Sequence, residues 1–425
     1  MIIHVVKPGD TVYAIARRYG VQTSKIIKDN ALKTPNKLAV GQALVIMNDS
    51  VPYTVKKGDT LYSIARTYGI SVAQLKAANP RIKGDIIYAG EVINIPVSSK
   101  KYGTIDVNGY AFPGINRTVL ADTLPYLTYL SIFSYQIKPD GSLTPINDTP
   151  LIEMARKAKV APMMVITNIK EGGGFSSEIA HVILNNEKAQ QNLINNVVST
   201  LKAKNYYGLN IDLEYVDPED GDNYDRFLQK IVSTLRPLGY TITTSLAPKT
   251  SADQKGQLYE AHHYPVHGRL TDHVILMTYE WGYTYGPPMA VAPLPQVKRV
   301  LDYAVTVIPS KKILMGMPNY GYDWTLPYKK GTAAKSISNT AAVELAIEKG
   351  VAIRYDQASQ APYFYYNDAE GRQHVVWFDD ARSIQARLRL INEYDLGGAS
   401  YWTIMRFFPQ NWLVLTSMYN IRKLL

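Results

Sequence analysis

Three polar side chains alternate with apolar ones in one short segment, which reads Tyr207-Gly208-Leu209-Asn210-Ile211-Asp212-Leu213-Glu214-Tyr215. Successive side chains of a β-strand point to opposite faces, so a strand here would place Asn210, Asp212 and Glu214 on one face. Residues two apart on a strand lie about 7 Å from each other. Two carboxyl groups at that spacing inside a protein are unfavourable unless they are paired or used. The segment therefore offers an acid for proton transfer. The alternative to catalysis is structural: the two carboxylates lie at a strand end and are held there by hydrogen bonds and salt bridges.

The elements that would position this segment form a regular series. From residue 102 onward, helical patterns such as 189–203 and 224–235 lie between apolar, β-rich runs. Eight runs are predicted as strands: Thr104–Tyr110, Leu127–Ser134, Ala161–Ile166, Tyr207–Leu213, Thr241–Leu246, His273–Tyr279, Ile313–Pro318 and Gly398–Thr403. Eight β–α alternations predict an α/β protein with a (β/α)₈ TIM barrel over residues 102–425. The chemistry of such barrels sits at the carboxyl ends of the strands, where Glu214 falls.

The stretch between the seventh and eighth predicted strands is too long for one helix. It contains the β-like runs Tyr363–Tyr366 and Val375–Phe378 on either side of a Glu370-Gly371 turn. We expect a small α+β insertion over about 323–378.

The first hundred residues contain a repeat at a constant spacing of 49 residues. Val6-Lys7-x-Gly9-Asp10-Thr11 returns as Val55-Lys56-x-Gly58-Asp59-Thr60, and the correspondence continues to Ile46 and Ile95. Each unit has the pattern strand, helix, helix, strand, and Gly-Asp-Thr supplies a turn and a helix N-cap. This predicts two small βααβ modules over residues 2–48 and 51–97, followed by a polar joint, Val97–Lys101.

Composition restricts the classes of function. The chain has no cysteine, which excludes disulfides, thiolate metal sites and thiol nucleophiles. Most of the net charge of +10 lies in the repeats. An anionic polymer such as peptidoglycan explains that charge better than nucleic acid, because no nucleic-acid fold signature accompanies it. No run approaches the roughly 18 apolar residues of a membrane span, and the amino terminus lacks the features of a cleavable signal peptide.

No cofactor or metal site is expected. The seven histidines include His262, His263 and His267, but none has a ligand spacing with a companion acid. We interpret these histidines as surface or packing residues.

The two repeats resemble LysM modules over essentially all of residues 2–97. The resemblance implies binding to glycan that contains N-acetylglucosamine, through two turns and the segments after Asn30 and Asn79. Ile15, Ile64 and Asn30 are instead expected to hold the module fold together. The implied glycan-binding residues of the turns are Gly9, Asp10, Thr11, Gly58, Asp59 and Thr60.

The central segment resembles the Asp-Gly-x-Asp-x-Asp-x-Glu signature of glycoside hydrolase family 18. Gly208, Asp212 and Glu214 match it, whereas Tyr207 and Asn210 stand where the family has Asp. Three further strand ends match family patterns: Met277-Thr278-Tyr279-Glu280, Gly316-Met317-Pro318-Asn319-Tyr320-Gly321 and Gly397-Gly398-Ala399-Ser400-Tyr401-Trp402. The likeness covers about residues 102–425.

That family retains configuration by using the acetamido group of its substrate as nucleophile. The resemblance implies that Glu214 is the acid and base, Asp212 orients the acetamide, Tyr279 bonds its oxygen, and Trp402 stacks under the sugar. For Glu280 and Asn319, ordinary packing is as good an interpretation. Because Asn210 has no charge, we expect Asp212 to ionise more readily and to accept an amide hydrogen bond. The implied substrate-binding residues are Asn210, Trp402, Glu280, Asn319 and Tyr320.

LysM modules in front of such a barrel, without an export signal, resemble the cortex-lytic enzymes of bacterial spores. This implies an N-acetylglucosaminidase that cuts β-1,4 bonds of spore-cortex peptidoglycan, acts in the spore cortex or coat, and works as a monomer. A chitinase is an alternative with the same chemistry, and a catalytically inactive lectin is a second. Endo or exo action and the need for muramic-δ-lactam stay open.

Overall fold

The computed structural model describes residues 1–48, 50–96 and 101–425. The predicted joint Val97–Lys101 lies outside these ranges except for Lys101. In the first repeat, called module 1, β1 (Ile2–Val5) pairs antiparallel with β2 (Ala43–Ile46), and α1 (Val12–Tyr19) and α2 (Thr23–Asp29) lie between them in sequence. Thr11 begins α1 as predicted, because its hydroxyl accepts the N–H of Ala14 at 3.1 Å.

The second repeat, module 2, has the same order of elements. Its strands are β3 (Ser50–Thr54) and β4 (Val92–Pro96), with α3 (Leu61–Thr67) and α4 (Val72–Ala77) between them. Thr60 caps α3, and Ser63 returns the hydrogen bond to the Thr60 backbone, which makes a capping box. The predicted βααβ pattern of both repeats is confirmed.

The repeated asparagine holds each module together from the inside. Asn30 donates its amide to the carbonyls of Ile26 and Val45, both at 2.9 Å. Asn79 bonds the matching carbonyls of Leu75 and Asn94 in module 2. Ile15 and Ile64 are likewise in the module cores, at 0% and 3% exposure. The structural role predicted for Asn30, Ile15 and Ile64 is confirmed.

The third part of the chain begins with seven parallel strands that alternate with helices. The strands are β5 (Gly103–Ala111), β6 (Tyr129–Gln136), β7 (Ala161–Thr167), β8 (Gly208–Asp212), β9 (Thr241–Leu246), β10 (His273–Leu276) and β11 (Ile313–Pro318). The helices are α5 (Arg117–Thr123), α6 (Thr149–Lys157), α7 (Ser177–Asn185), α8 (Glu187–Ala203), α9 (Gly221–Leu235), α10 (Tyr264–Leu270) and α11 (Leu294–Val307).

A five-stranded antiparallel sheet and one helix interrupt the series after β11. The strands are β12 (Gly321–Thr325), β13 (Lys335–Ile337), β14 (Arg354–Asp356), β15 (Ala361–Asn367) and β16 (Gln373–Trp377), and the helix is α12 (Asn339–Glu348). Ala342, Ala346, Phe364 and Val376 form its apolar core. This is the predicted α+β insertion.

The eighth barrel strand follows the insertion and closes the barrel. After α13 (Ala381–Glu393), β17 (Gly398–Trp402) pairs with β11 on one side and β5 on the other. The chain ends with α14 (Pro409–Met418) and β18 (Tyr419–Ile421), which adds to the start of β5. The predicted (β/α)₈ fold is therefore confirmed. Across the described ranges, we find no helix with the length and apolarity needed to cross a membrane.

Candidate active site

β8, the strand in which polar and apolar residues alternate, lies in the barrel wall, and its side chains point alternately to the two faces of the sheet. Asn210 and Asp212 of β8 are almost fully buried. Leu209 and Ile211 belong to the large apolar core outside the barrel wall. An apolar residue at every second position therefore anchors the strand, and the other positions point polar groups into the barrel.

A polar network fills the barrel interior beside Asp212. The hydroxyl of Tyr110, from β5, donates to Asn210 Oδ1 at 3.0 Å and lies 2.8 Å from Ser245 Oγ. Asn210 in turn donates its amide to Thr243 Oγ1 at 2.9 Å. Asn210 is thus a link between β5, β8 and β9, and its side chain is satisfied by neighbouring strands.

A cleft of about 630 Å³ opens at the carboxyl ends of the strands. Asp212 and the half-buried Glu214 line it, and so do Tyr279 and Trp402. The remaining lining is largely aromatic and apolar: Tyr110, Phe133, Ile169, Phe175, Tyr215, Ser245, Pro248, Leu258, Tyr259, Met277, Glu280, Trp281 and Tyr283. The cleft is large enough for a sugar and offers its CH faces aromatic surface.

Burial and charge raise the pKa values of the two central carboxyl groups. Burial raises the pKa of Glu214 well above its usual value, and the negative charges of Asp212 and Glu280 raise it further. Burial also raises the pKa of Asp212, to about 7, although the neighbouring hydroxyl of Ser245 acts in the opposite direction. The negative charge of Asp212 therefore favours the protonated form of Glu214. A protonated carboxyl in an aromatic cleft is suited to general acid catalysis.

The expectation that Asp212 accepts an amide hydrogen bond from Asn210 is wrong. The Asn210 amide is directed to Thr243, and one oxygen of Asp212 is buried with no hydrogen-bond partner among the described residues. Removing a competing charge at position 210 does lower the Coulombic penalty. Burial of Asp212 outweighs that effect, because the ionised form loses its hydration.

The backbone at Glu214 is fixed by two side chains that belong to none of the sequence motifs. Asn168, directly after β7, accepts the N–H of Glu214 at 3.0 Å and donates to its carbonyl at 2.7 Å. His262 accepts the N–H of Ala247 at 3.0 Å, so its other nitrogen carries the proton and donates to the carbonyl of Leu213 at 3.0 Å. Burial lowers the pKa of His262 to about 4, which keeps it neutral as this arrangement requires.

Glu280 lies at the rim of the cleft in a cluster of tyrosines. The hydroxyl of Tyr320 donates to its carboxylate, and that of Tyr322 does so at 3.1 and 3.2 Å. Partial burial raises the pKa of Glu280, and these two bonds lower it. Glu280 and Tyr320 also line a smaller adjoining cavity of about 300 Å³, so both are placed where a glycan could extend.

Trp402 and Asn319 have different roles at the same end of the barrel. Trp402 packs edge-on against Tyr110, at 5.5 Å between ring centroids, and against Phe133, at 4.9 Å. It lines both cavities. Asn319 donates its amide to the carbonyls of Thr403 and Arg406, at 3.0 and 2.9 Å. Asn319 therefore holds the loop after Trp402, and it also lines the smaller cavity.

Two residues that follow cleft residues adopt left-handed backbone conformations. Tyr215, directly after Glu214, has φ of 53°, and Glu280, directly after Tyr279, has φ of 66°. Residues other than glycine rarely adopt this region, and each such residue costs of order 1–3 kcal/mol. The chain thus turns sharply after Glu214 and after Tyr279.

The implied glycan-binding turns of the modules carry structural bonds. Asp10 accepts the N–H of Lys7 at 2.9 Å and contacts His4, also at 2.9 Å. Asp59 accepts the N–H of Lys56 and the hydroxyl of Tyr53, both at 2.7 Å. Gly9 and Gly58 form the tight turns just before them. The side chains of Asp10 and Asp59 are engaged in closing these turns, and Thr11 and Thr60 in capping helices.

The histidines in α10 and just before it, His262, His263 and His267, lie away from the cleft or in the core. His263 pairs with Asp225 at 2.7 Å. A carboxylate oxygen of Asp222 lies within 4.8 Å of the side-chain nitrogen and oxygen atoms of this pair. His267 is fully buried and bonds Thr244 Oγ1 at 3.1 Å. The packing interpretation of His262 and His267 is confirmed.

The family model described as glycosyl hydrolases family 18 matches residues 106–406, which include all of the cleft residues named above. The chain belongs to glycoside hydrolase family 18. The LysM domain model matches residues 4–46 and 53–96. The family 18 protein is therefore a glycoside hydrolase with two LysM modules in front of its barrel.

Individual relatives of this family 18 protein match all or part of its length. The cortical fragment-lytic enzyme of Bacillus subtilis (strain 168) is 43% identical over 430 residues, with coverage of 100% of this chain and 99% of that protein. The crystal structure of the spore cortex-lytic enzyme SleL of Bacillus megaterium QM B1551 is similar, with a TM-score of 0.92, 42% identity and coverage of 100% and 99%. A chitinase from Chromobacterium violaceum ATCC 12472 matches 74% of this chain and 98% of its own, with a TM-score of 0.69 and 26% identity.

Proposed function

We propose that this enzyme is a retaining N-acetylglucosaminidase that hydrolyses β-1,4 bonds in spore-cortex peptidoglycan or its fragments. Relatives that match both the modules and the barrel include enzymes named for lysis of the cortex or of its fragments. The chitinase matches only part of the chain. Similarity over the modules as well as the barrel therefore favours a cortex substrate over chitin.

The proposed reaction uses the 2-acetamido group of the substrate as nucleophile. Its carbonyl oxygen attacks the anomeric carbon while Glu214 donates its proton to the departing glycosidic oxygen. The bond to the leaving sugar breaks and an oxazolinium ion forms. Water then attacks the same carbon, Glu214 takes the proton of that water, and the acetamide is released. Two displacements at one carbon retain its configuration.

Asp212 and Tyr279 support the acetamide in this proposal. The carboxylate of Asp212 accepts the acetamide N–H and stabilises the positive charge of the oxazolinium ion. Tyr279 donates its hydroxyl to the acetamide oxygen. Trp402 lies under the sugar that contains the reacting carbon, and Glu280 and Tyr320 contact the glycan at the rim. The aromatic lining excludes water, which strengthens each of these interactions.

The observation that carries the proposal is the placement of Glu214 and Asp212 in one largely aromatic cleft at the carboxyl ends of the barrel strands, together with Tyr279 and Trp402. Burial and the charges of Asp212 and Glu280 raise the pKa of Glu214, which favours its protonated form. Asp212, with a pKa of about 7, supplies the neighbouring negative charge. Substrate assistance needs an acid at the leaving oxygen and an anion beside the acetamide group.

Mass spectrometry of products from spore-cortex peptidoglycan tests the proposal. We expect each cut to leave N-acetylglucosamine at the new reducing end. New reducing ends at muramic acid would overturn the specificity. Faster cleavage of chitin oligosaccharides than of cortex fragments would favour the chitinase alternative. Binding of cortex glycan with no release of reducing ends from either substrate would identify a lectin.

A further inference from the structure

The two modules are copies of one fold but have different surroundings. The outer face of the module 1 sheet packs on the barrel: Val45 of β2 is fully buried and belongs to the large apolar core of the barrel. β2 contacts both α13 and α14. Gln410 of α14 donates to Asn30 Oδ1 at 3.0 Å and to the carbonyl of Ala43 at 2.9 Å. Module 1 is thus joined to the catalytic domain through a buried interface.

The loop of module 1 between α2 and β2 is held by the insertion. Ala39 is buried in the apolar core of the insertion. The N–H of Ile353 donates to the carbonyl of Val40 at 2.8 Å. The carbonyl of Gly41 accepts from Arg382 of α13 at 3.1 Å. This loop is one of the segments through which LysM modules are expected to contact glycan, and here it is covered by protein.

Contacts between a carboxylate of the insertion and the start of the same loop extend the interface. Glu344 of α12 accepts the N–H of Lys33 at 3.3 Å and the hydroxyl of Thr34 at 3.1 Å. A side chain at position 41 would have no room, since a Cβ there would lie 1.9 Å from the carbonyl oxygen of Ile353. The interface is therefore closely packed from Lys33 to Gly41.

Module 2 exposes the matching surface. At the position of buried Ala39 it has Tyr88, which is 70% exposed, and Ile86 nearby is 64% exposed. Asn94 stands where module 1 has Val45, and it is exposed. A Cβ on Gly90, the counterpart of Gly41, would meet nothing within 4 Å. Within the described ranges, no hydrogen bond or ion pair joins residues 50–96 to residues 101–425.

We propose that the two modules have different tasks. Module 1 is a fixed part of the catalytic unit and makes no glycan contact through its second loop. Module 2 alone holds glycan that contains N-acetylglucosamine, through an exposed surface that includes Tyr88 and Ile86. The inference rests on the proposed function for the choice of glycan. Tyrosine suits this partner, because its ring covers the CH face of a sugar and its hydroxyl stays in water, and Lys83 on the same loop suits an anionic polymer.

Pelleting assays with insoluble cortex glycan and with chitin test the binding half of the proposal. The full-length protein carries Glu214→Gln so that the glycan stays intact. In this background, Tyr88→Ala should weaken binding about tenfold or more, as loss of an aromatic anchor does at other interfaces. Tyr13→Ala is the matched control, because Tyr13 is 71% exposed at an equally accessible place on module 1. It should change binding less than twofold.

Gly41→Ala and Gly90→Ala test the docking half. Both glycines have positive φ, 84° and 90°, so alanine strains the two turns alike. Only Gly41→Ala meets the insertion. We expect faster amide hydrogen exchange in α12 and α14 for Gly41→Ala, and exchange like that of the parent in those helices for Gly90→Ala.

The outcomes separate this inference from the proposed function. Equal loss of binding in Tyr13→Ala and Tyr88→Ala, or none in Tyr88→Ala, would overturn the division of tasks. The same holds if the parent pellets with neither glycan, or if α12 and α14 exchange alike in the two glycine variants. If the binding and exchange differences hold but active enzyme leaves N-acetylglucosamine bonds of the cortex uncut, only the proposed function fails.

Discussion

The side-chain amide of Asn168 brackets the backbone of Glu214, with its oxygen accepting the N–H at 3.0 Å and its nitrogen donating to the carbonyl at 2.7 Å. Asn168 is fully buried and also donates to the carbonyl of Ser176. It therefore ties the end of β8 to the loop after β7. This contact fixes where the acid stands, although Asn168 is not placed to touch the reacting atoms.

Asn168→Ala should lower kcat by about 10- to 100-fold and change KM little, because a small displacement of a catalytic group has effects of this size. Steady-state kinetics on a soluble cortex fragment measure both constants. Asn196→Ala, which removes an asparagine on α8 that bonds a loop carbonyl away from the cleft, is the control. A raised KM with unchanged kcat would argue against positioning of Glu214.

Glu214→Gln should reduce kcat/KM by about 10²–10⁴-fold, since the amide cannot donate the proton that the leaving oxygen needs. Binding of substrate, measured by calorimetry, should remain. The exposed Glu219, five residues along the chain, gives a matched variant, Glu219→Gln, that should keep full activity. Activity of Glu214→Gln within a few-fold of the parent would refute the assignment of the acid.

A thiazoline derived from N-acetylglucosamine should inhibit competitively, because it mimics the cyclic intermediate that the acetamide forms. Asp212→Asn should retain some activity, as an amide can still hydrogen-bond although it cannot neutralise the oxazolinium charge. The contrary result would be a glycosyl ester on Asp212, trapped with a fluorinated sugar and located by peptide mapping. Full activity on a de-N-acetylated glycan would be equally damaging to substrate assistance.

Asp212→Asn should also stabilise the fold, and by an amount that depends on pH. The folded-state pKa of Asp212 is about 7, above the value of about 3.9 for an unfolded chain. Below pH 4 the group is protonated in both states, so the substitution has little effect. Between pH 4 and 7 only the unfolded state releases the proton, so the parent loses stability as pH rises.

The gain in unfolding free energy of Asp212→Asn should therefore reach a few kcal/mol above pH 7 and vanish near pH 4. Thermal unfolding at a series of pH values measures it. Asp222→Asn, at an exposed position, is the control. A gain that is the same at pH 4 and pH 8 would show that packing, and not ionisation, is responsible.

Much of the fold could be predicted because its signals are local. Thr241–Leu246 and Ile313–Pro318 have the predicted limits, since each is an apolar run that ends at a turn or a polar loop. β8 and β10 end earlier than predicted, at Asp212 and Leu276. Beyond those points the chain leaves the sheet to bend around the cleft, which periodicity does not indicate. The domain limits 2–48, 51–97 and 102–425 stay predictions.

The candidate site was only partly predictable for a related reason. Asp212 and Glu214 carry a spacing that a sequence can show. Asn168 and His262 act through hydrogen bonds to backbone atoms that are distant in sequence, which no local pattern marks. The extent to which burial raises the pKa of Asp212 depends on the whole barrel, so the sequence alone does not show it. For Asn168, its position directly after a buried strand was the one available signal.

The left-handed conformations of Tyr215 and Glu280 restrict what mutation can place at the cleft. A β-branched residue at either position would clash with its own backbone, whereas glycine or asparagine fits the same turn. Variants selected for a new sugar specificity should therefore accept glycine or asparagine at 215 and 280 and be depleted in valine, isoleucine and threonine there. Free randomisation of these two codons would add strain to the turns beside Glu214 and Tyr279, so Leu258, Tyr259 and Tyr283 of the cleft wall are better positions for diversity.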